Sequence, residues 1–356
     1  MHEGHPHGRP RSPLGRAQLV AAGWRLRRWA SPVQPVVWLA TGTPPGRIGY
    51  APGPLRAVRR ARHAGLRRPV RLCLLEPGPT RGPRFSPVTA YWVNERSRLV
   101  HAVVDDQPER ADLVWVHAQD PLAPPVREQV SATLARLPPH VRVINPPDAY
   151  DAYHLRGTFP RLREAGVTVP DPAPRRGQLA VVKGPGQASR KSLVRFDGSL
   201  PAGHRAFGYV DARGPDGLHR RYRAFWWLDT AHPGDVLGAR DWEVGLKAYA
   251  WHQPTFQLSD AEEQQIARIA EVLGLQWFCV DFVRRAEDGQ PVFTDVNVYP
   301  TPVIAEAVDD LVGARGRWHF LDTAERLGVR EPQDGFWPRF DAAVARFISA
   351  VPVPTR

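Results

Sequence analysis

The sequence predicts an α/β protein whose C-terminal part is α+β, and three observations support this class. Short apolar runs alternate with helical stretches between residues 32 and 145, which is typical of a mostly parallel sheet. Several β-rich segments then follow one another between residues 178 and 298. An apolar fraction of 42% is that of an ordinary globular protein, and 356 residues suffice for two or three subdomains.

The first 31 residues are predicted to form a disordered basic leader, because histidine, glycine, proline and arginine dominate them and bury little apolar surface. An N-terminal α/β domain is expected over residues 32–145. Its predicted elements are, in order, a strand, a basic helical stretch, a second strand, a hairpin, a third strand, a helix and a closing strand. They cover residues 35–40, 55–63, 70–75, 91–104, 111–117, 125–137 and 141–144.

Residues 146–210 are predicted to form a central, lid-like subdomain, and residues 211–356 a C-terminal subdomain with a metal site. A helical stretch over residues 148–165 ends at Gly166. Ser259 is a suitable N-cap for a helix that Gly274 ends. The predicted strands cover residues 178–183, 205–210, 221–228, 277–284 and 291–298, and further helices are expected over residues 302–356.

Charge and cysteine usage restrict the function classes. The net charge of +12 comes almost wholly from arginines, but they are scattered and accompany no nucleic-acid motif, so nucleic-acid binding is unlikely. The two cysteines, Cys73 and Cys279, lie in apolar runs, which is typical of buried thiols in a reducing compartment. No segment approaches the roughly 20 apolar residues of a membrane span. We therefore expect a cytoplasmic protein; whether it forms a homo-oligomer is left open.

Two carboxylates and an amide lie on the last two predicted strands. Asp281 is on the first of them, and Asp295 and Asn297, two residues apart, point to one face of the second. The turn signal Asp288-Gly289 between the strands predicts a hairpin that brings the three side chains together. Hard oxygen ligands of this kind suit Mg²⁺ beside nucleotide phosphates. The alternative is an amphipathic hairpin with solvent-facing acids, but acids are poor strand formers among Phe, Val and Cys.

A lysine ends the apolar strand over residues 179–183 and is followed by a glycine-containing loop. Lys183 at this position places an ammonium on one phosphate, while loop N–H groups, Arg190 and Lys191 approach others. The segment is not a P-loop, because Arg190 rather than glycine precedes Lys191-Ser192. Alone it is a weak signal of phosphate binding, and it gains weight from the carboxylate hairpin downstream.

Together these segments resemble the ATP-grasp superfamily, and within it the branch of enzymes similar to glutathione synthetase and to ribosomal-protein glutamate ligase. The most specific match is Thr294-Asp-Val-Asn-Val-Tyr-Pro-Thr301, which looks like the metal-binding strand of the family. Residues 144–148 and 165–170 are similar to segments leading into its central domain. The resemblance covers a little under half the chain and implies an ATP-grasp fold behind an N-terminal α/β domain.

The resemblance also implies roles for individual residues. Lys183 and Arg223, which we choose over Arg221, would contact phosphates and act in catalysis, and Tyr209 and Val210 would hold adenine. Asp211 would reach the ribose, and the Mg²⁺ ligands, with Mn²⁺ as an alternative ion, would be Asp281, Asp295 and Asn297.

The sequence departs from the family pattern at three points. The second family lysine is absent before Gly166, and Arg156 is the nearest cation that could bind the nucleotide in its place. Asp295 replaces the commoner glutamate, which shortens the reach to a metal. Cys279 stands where some relatives carry an arginine. Nucleotide binding survives such changes more easily than catalysis does.

The implied function is an ATP-dependent carboxylate–amine ligase that forms an acylphosphate and releases ADP and phosphate. Its partners would be a small-molecule or peptide carboxylate and an amine acceptor. Two alternatives stay open, a small-molecule kinase of the same fold and a non-catalytic nucleotide-binding protein. A basic nucleic-acid binder is a third, supported only by the arginine-rich leader.

Overall fold

The computed structural model describes residues 69–75, 89–90, 93, 97–104, 107–117, 122–154, 158–184, 191–244, 249–253, 255–298 and 335–349. The predicted leader, the strand expected at 35–40, the helical stretch expected at 55–63, Arg156 and the loop with Arg190 lie outside these residues, as does most of 302–356. Within the described part, no helix is long and apolar enough to cross a membrane.

The N-terminal region is a four-stranded, fully parallel sheet. Its strands lie in the order β2-β1-β3-β4, and they are β1 (Val70–Leu75), β2 (Val100–Val104), β3 (Leu113–Val116) and β4 (Arg142–Ile144). Helix α1 (Pro124–Leu134) connects β3 to β4, as parallel strands require. The predicted hairpin over residues 91–104 is wrong in its described part, because Val93 is helical and β2 pairs in parallel with β1, with Val70 facing Val100.

Two short helices lead from this sheet to a small antiparallel one. The helices are α2 (Pro147–His154) and α3 (Thr158–Glu164). The small sheet has the order β6-β5-β7, with β5 (Leu179–Lys183), β6 (Lys191–Arg195) and β7 (Arg205–Gly208). The predicted single helical stretch over 148–165 is therefore two helices, and β6 was not predicted.

The third sheet has five antiparallel strands in the order β10-β9-β8-β11-β12. They are β8 (His219–Trp227), β9 (Thr230–Ala239), β10 (Trp251–Gln253), β11 (Trp277–Arg284) and β12 (Pro291–Asn297). Helix α4 (Asp260–Leu273) begins with a complete capping box between Ser259 and Glu262 and ends at Gly274 in the left-handed conformation, as predicted. A last helix, α5 (Phe336–Ser349), follows.

Strand β9 was missed because Pro233 and Gly234 interrupt its β pattern. The structure accommodates them where the β8–β9 register shifts between Tyr222 and Ala224, which is how a bulge tolerates an irregular backbone. A Cβ at residue 234 would lie 2.7 Å from the carbonyl oxygen of Arg223, so only glycine fits this close approach.

An aromatic core joins the parallel sheet, the five-stranded sheet and α5. Trp115 of β3 stacks on Trp277 of β11 with centroids 3.9 Å apart, and Phe336 and Phe340 of α5 pack edge-on against Trp227. The fold class is confirmed: a parallel α/β unit is followed by antiparallel sheets with helices.

Asn145 fastens the end of β4 to the start of β11. Its backbone is left-handed, with φ of 51°, a conformation that asparagine tolerates better than most residues. The side-chain amide donates to the carbonyl oxygen of Trp277 at 2.7 Å, and its oxygen accepts from the N–H of Gln276 at 2.9 Å. This buried asparagine therefore holds two sheets in a fixed relation.

Candidate functional site

A buried ion pair lies at the centre of the five-stranded sheet. Asp281 of β11 faces Arg223 of β8 in register and accepts two hydrogen bonds from it, from Nε at 2.7 Å and from Nη2 at 2.8 Å. The Arg221 Nη1 atom is 3.5 Å from the same carboxylate. The Arg223 and Asp281 side chains are only 3% and 7% exposed, so their charges are compensated inside the protein rather than by water.

Electrostatics fix the ionisation of Asp281. Burial alone would raise the pKa of its carboxyl group, but the guanidinium groups of Arg221 and Arg223 outweigh burial and hold that pKa below its usual range. Asp281 is therefore a stable anion. The sequence favours Arg223 over Arg221 for a role at the phosphates. In the structure the two arginines lie two residues apart on one strand, and both are within 4.0 Å of the Asp281 carboxylate.

Asp295 lies beside Asp281 but in a different environment. The two aspartates are direct cross-strand neighbours in the β11–β12 ladder, as the predicted hairpin requires. Burial raises the pKa of the half-buried Asp295 carboxyl, and Asp281 raises it further, while Lys183, Lys191 and Arg223 oppose the rise. Within the described residues no hydrogen bond engages this carboxylate, so it is the under-compensated acid of the pair.

Asn297 completes the predicted oxygen set. It is half-buried and faces Cys279 in the ladder, two residues from Asp281 on one strand and from Asp295 on the other. The described residues hold no cluster of three or more His, Cys, Asp or Glu side chains arranged as metal ligands. Two carboxylates and an amide nevertheless fit Mg²⁺ by donor chemistry, and a carboxylate with a raised pKa and no donor is the kind of group that a cation stabilises.

Lys183 reaches the same site from the small sheet. It ends β5, is half-buried, and its charge acts on Asp295. The structure thus brings Lys183, Arg223, Asp281 and Asp295 together, although they come from two sheets and Asp295 follows Lys183 by 112 positions in the sequence. Arg156 and Arg190 lie outside the described residues.

The segment from Tyr209 to Asp211 begins the connection from β7 to β8, between the two sheets. The Tyr209 N–H donates to the Leu179 carbonyl oxygen at 2.9 Å, so the groups left in this segment for a purine are its remaining backbone atoms, those of Val210 included. Burial and then the Asp211 charge raise the pKa of the Tyr209 hydroxyl. Asp211 is exposed, and its Oδ1 accepts from the Arg213 N–H at 3.0 Å.

A second pair on the five-stranded sheet was not anticipated from the sequence. Asp235 of β9 is buried, and its Oδ2 lies 3.4 Å from Nε2 of His252 on β10. This pair was not predicted because Asp235 lies on β9, the strand whose β pattern Pro233 and Gly234 interrupt. Alternation along a recognised β9 would have placed Asp235 and Leu237 on one face.

Comparison with known proteins gives structural similarity only. No protein-family model matches the sequence, and no curated protein matches it. The fold is similar to the ATP-grasp ligase PsnB solved with a minimal precursor, Mg and ADP, at 15% identity and a TM-score of 0.47, over 77% of this chain and 97% of PsnB.

Two further solved structures are similar. The macrocyclase MdnB from Microcystis aeruginosa MRC is 15% identical at a TM-score of 0.43, over 79% of this chain and 99% of MdnB. The D-alanine–D-alanine ligase from Bacillus anthracis, solved with ATP, is 10% identical at a TM-score of 0.41, over 72% of this chain and 97% of the ligase. With TM-scores below 0.5, these similarities determine neither the family nor the chemistry of this chain, which rest on its own residues.

Proposed function

We propose that this chain binds Mg·ATP in an ATP-grasp-type site and uses it to join a carboxylate to an amine. One observation carries the proposal: adjacent strands present Asp281 and Asp295 side by side, next to two buried arginines, while the charge of Lys183, from a separate sheet, acts on Asp295. Anion-binding and cation-binding groups in contact suit a metal–polyphosphate ligand, which carries both signs of charge.

In this proposal Asp295 and Asn297, with Asp281, hold Mg²⁺, or Mn²⁺ in its place. The bound ion would neutralise charge on the nucleotide phosphates. Lys183 and Arg223 would bind phosphate oxygens, and the segment Tyr209 to Asp211 would hold adenine and ribose. Because Arg223 already binds both Asp281 oxygens, Asp295 and Asn297 are the ligands that the protein leaves most open.

The proposed chemistry needs no nucleophilic side chain. A substrate carboxylate oxygen attacks the γ-phosphorus, the bond to the β-phosphate oxygen breaks, and ADP leaves. The acylphosphate is then attacked by an amine, which forms the amide, loses a proton and releases phosphate. Lys183 and Arg223 stabilise the charge that moves during the first step, and the protein acts mainly by positioning the reactants.

The proposal extends to organisation and setting. We propose the division into an N-terminal α/β domain over 32–145, a lid-like subdomain over 146–210 and a C-terminal subdomain over 211–356, following a basic leader over 1–31. The parallel sheet lies within 32–145, the small antiparallel sheet within 146–210 and the five-stranded sheet within 211–356. We further propose a cytoplasmic setting, and a substrate pair of a small-molecule or peptide carboxylate with an amine.

ADP release against a panel of amino acids, small acids and peptides, with and without amines, tests the ligase. Release that needs both an acid and an amine supports it, and the Asp295→Asn variant should abolish that release. Release with one acceptor and no amine requirement would indicate the kinase alternative. Mg·ATP binding without turnover on any pair would indicate the non-catalytic alternative.

A further inference from the structure

Three cations form a row across the small sheet. Lys183 at the end of β5 faces Lys191 of β6 on one side and Arg205 of β7 on the other. Directly opposed residues of an antiparallel sheet point to the same face, with Cβ atoms roughly 4.5–5.5 Å apart. We call these three residues the cation row. Like charges directly opposite one another destabilise a sheet, so this arrangement costs stability unless an anion lies against it.

The described residues do not supply that anion through direct contacts. In the part of the chain that the structure describes, no carboxylate lies within 4.0 Å of a cation-row nitrogen, whereas Arg223 and Arg284 each form a close ion pair. Lys191 and Arg205 are exposed and Lys183 is half-buried. The nearest acids act at longer range: the Lys191 charge reaches Asp281 and Asp295, and the Lys183 charge reaches Asp295. The two lysines therefore lie close enough to the carboxylate pair for their charges to act on it.

The register of the small sheet sets the distance between the cation row and the segment from Tyr209 to Asp211, which we call the linker. Ala180 of β5 faces Gly208, the residue before Tyr209. Lys183 lies three positions further along β5, roughly 10 Å away. A nucleotide with its base at the linker and its chain along β5 would bring its outer phosphates to the row.

We propose that Lys191 and Arg205 bind the phosphate chain of the nucleotide together with Lys183, and that they replace the second lysine that the chain lacks. This inference rests on the proposed Mg·ATP site. It adds Arg205 to that site and gives Lys191, which the sequence already places near phosphates, a position opposite Lys183. The row supplies ammonium and guanidinium donors to phosphate oxygens, while the opposed carboxylates keep the metal on the other side of the same phosphates.

Calorimetry of the full chain with Mg·ATP, Mg·ADP, AMP and Mg·tripolyphosphate tests the inference. The variants are Lys191→Ala, Arg205→Ala and the charge-preserving Lys191→Arg. The matched control is Arg195→Ala, because Arg195 is also exposed and lies on β6 with the same side-chain parity. It faces Leu179 instead of a cation and lies four residues, about 13 Å, along the strand from Lys191.

Lys191→Ala and Arg205→Ala should each weaken Mg·ATP and Mg·tripolyphosphate binding by about tenfold or more, the size of a lost charge-assisted hydrogen bond. AMP binding should be unchanged, the Arg195→Ala affinities should stay within about twofold of wild type, and Lys191→Arg should restore most of the loss. If the wild type binds Mg·ATP and both alanine variants bind it equally well, the cation row has no such role although the nucleotide site stands. If the wild type binds none of the probes, the proposed function fails and this inference with it.

Discussion

The five-stranded sheet and the small three-stranded sheet treat charge in opposite ways. On the larger sheet, the Asp281 carboxylate lies between buried arginines and both of its oxygens accept hydrogen bonds from Arg223. On the smaller sheet, three cations lie side by side on paired strands without an ion pair among the described residues. The larger sheet neutralises the Asp281 charge with its own arginines, whereas the smaller sheet leaves its three cations without a close counter-ion among the described residues.

The difference separates structure from ligand binding. A buried charge that loses its partner destabilises the fold, because desolvation is no longer offset. An exposed cation that forms no close ion pair in the protein can be removed with little loss of folding stability. Its removal then weakens only the binding of a ligand. Asp295 combines features of both cases. It is half-buried, like a structural charge, but no hydrogen-bond donor among the described residues contacts its carboxylate.

The largest effect is expected for Arg223→Met. The substitution leaves Asp281 buried beside Arg221 alone and should lower the free energy of unfolding by about 3–5 kcal/mol. Denaturant titration at neutral pH measures it. The matched control is Arg285→Met, because Arg285 makes the same kind of pair with Asp288 in the turn of the β11–β12 hairpin, with side chains 41% and 40% exposed. That control should change stability by less than about 1 kcal/mol; equal losses would contradict the contrast.

His232 extends the comparison to the core-facing end of the larger sheet. Both ring nitrogens are buried, they make no hydrogen bond to the described residues, and burial, aided by Arg339, lowers the imidazole pKa to about 4. Between about pH 6.5 and pH 4 the His232 imidazole is protonated in the unfolded chain but not in the folded protein. The contribution of His232 to the free energy of unfolding should therefore fall by roughly 2–3 kcal/mol as pH drops through this range.

The variant His232→Leu should remove the contribution of His232, measured as the free energy of unfolding at a series of pH values. The loss that comes from His117, whose pKa burial lowers to about 3, should remain. His140 is exposed, and His140→Asn is the comparison variant for replacing a histidine outside the core. An unchanged profile in His232→Leu would mean that the buried imidazole does not set it.

Asp295→Asn should change stability in the opposite direction from Arg223→Met. A carboxyl group whose pKa is raised by burial opposes folding once it ionises, so the neutral amide should raise the free energy of unfolding at pH 7. The same variant should lose Mg²⁺-dependent nucleotide binding. Asp281→Asn, in which the buried arginines lose their counter-charge, is the control and should be destabilised. A stability loss in Asp295→Asn would show that the carboxylate is already compensated.

The smallest effect on folding is expected for Lys183→Ala. Lys183 forms no ion pair or hydrogen bond within the described residues, so the thermal unfolding free energy should change by less than about 0.5 kcal/mol. Circular dichroism melts of wild type and variant measure this. A change above about 1 kcal/mol would place Lys183 among the structural charges of the larger sheet.

Much of the C-terminal architecture follows from local sequence patterns. Strands β11 and β12, and the hairpin that places Asp281 beside Asp295, were predicted from residue alternation and from the Asp288-Gly289 turn, and α4 from its cap residues. These signals are local, so neighbouring residues suffice to decide them.

What escaped prediction depends on distant partners. The pair of Arg223 with Asp281 joins residues 58 positions apart, and only strand order places them together. The parallel pairing of β2 with β1 was mistaken for a hairpin, because a single strand pattern does not reveal its partner. The cation row needed the unpredicted β6 and the pairing of three strands.

Calorimetric titration of Mg·ATP into the wild type, Lys183→Ala and Asp295→Asn, each repeated without Mg²⁺, tests the central claim most directly. We expect Mg²⁺-dependent binding by the wild type that weakens by tenfold or more in both variants while both remain folded. Wild-type protein that binds no Mg·ATP, or variants that bind it as tightly as wild type, would contradict the account.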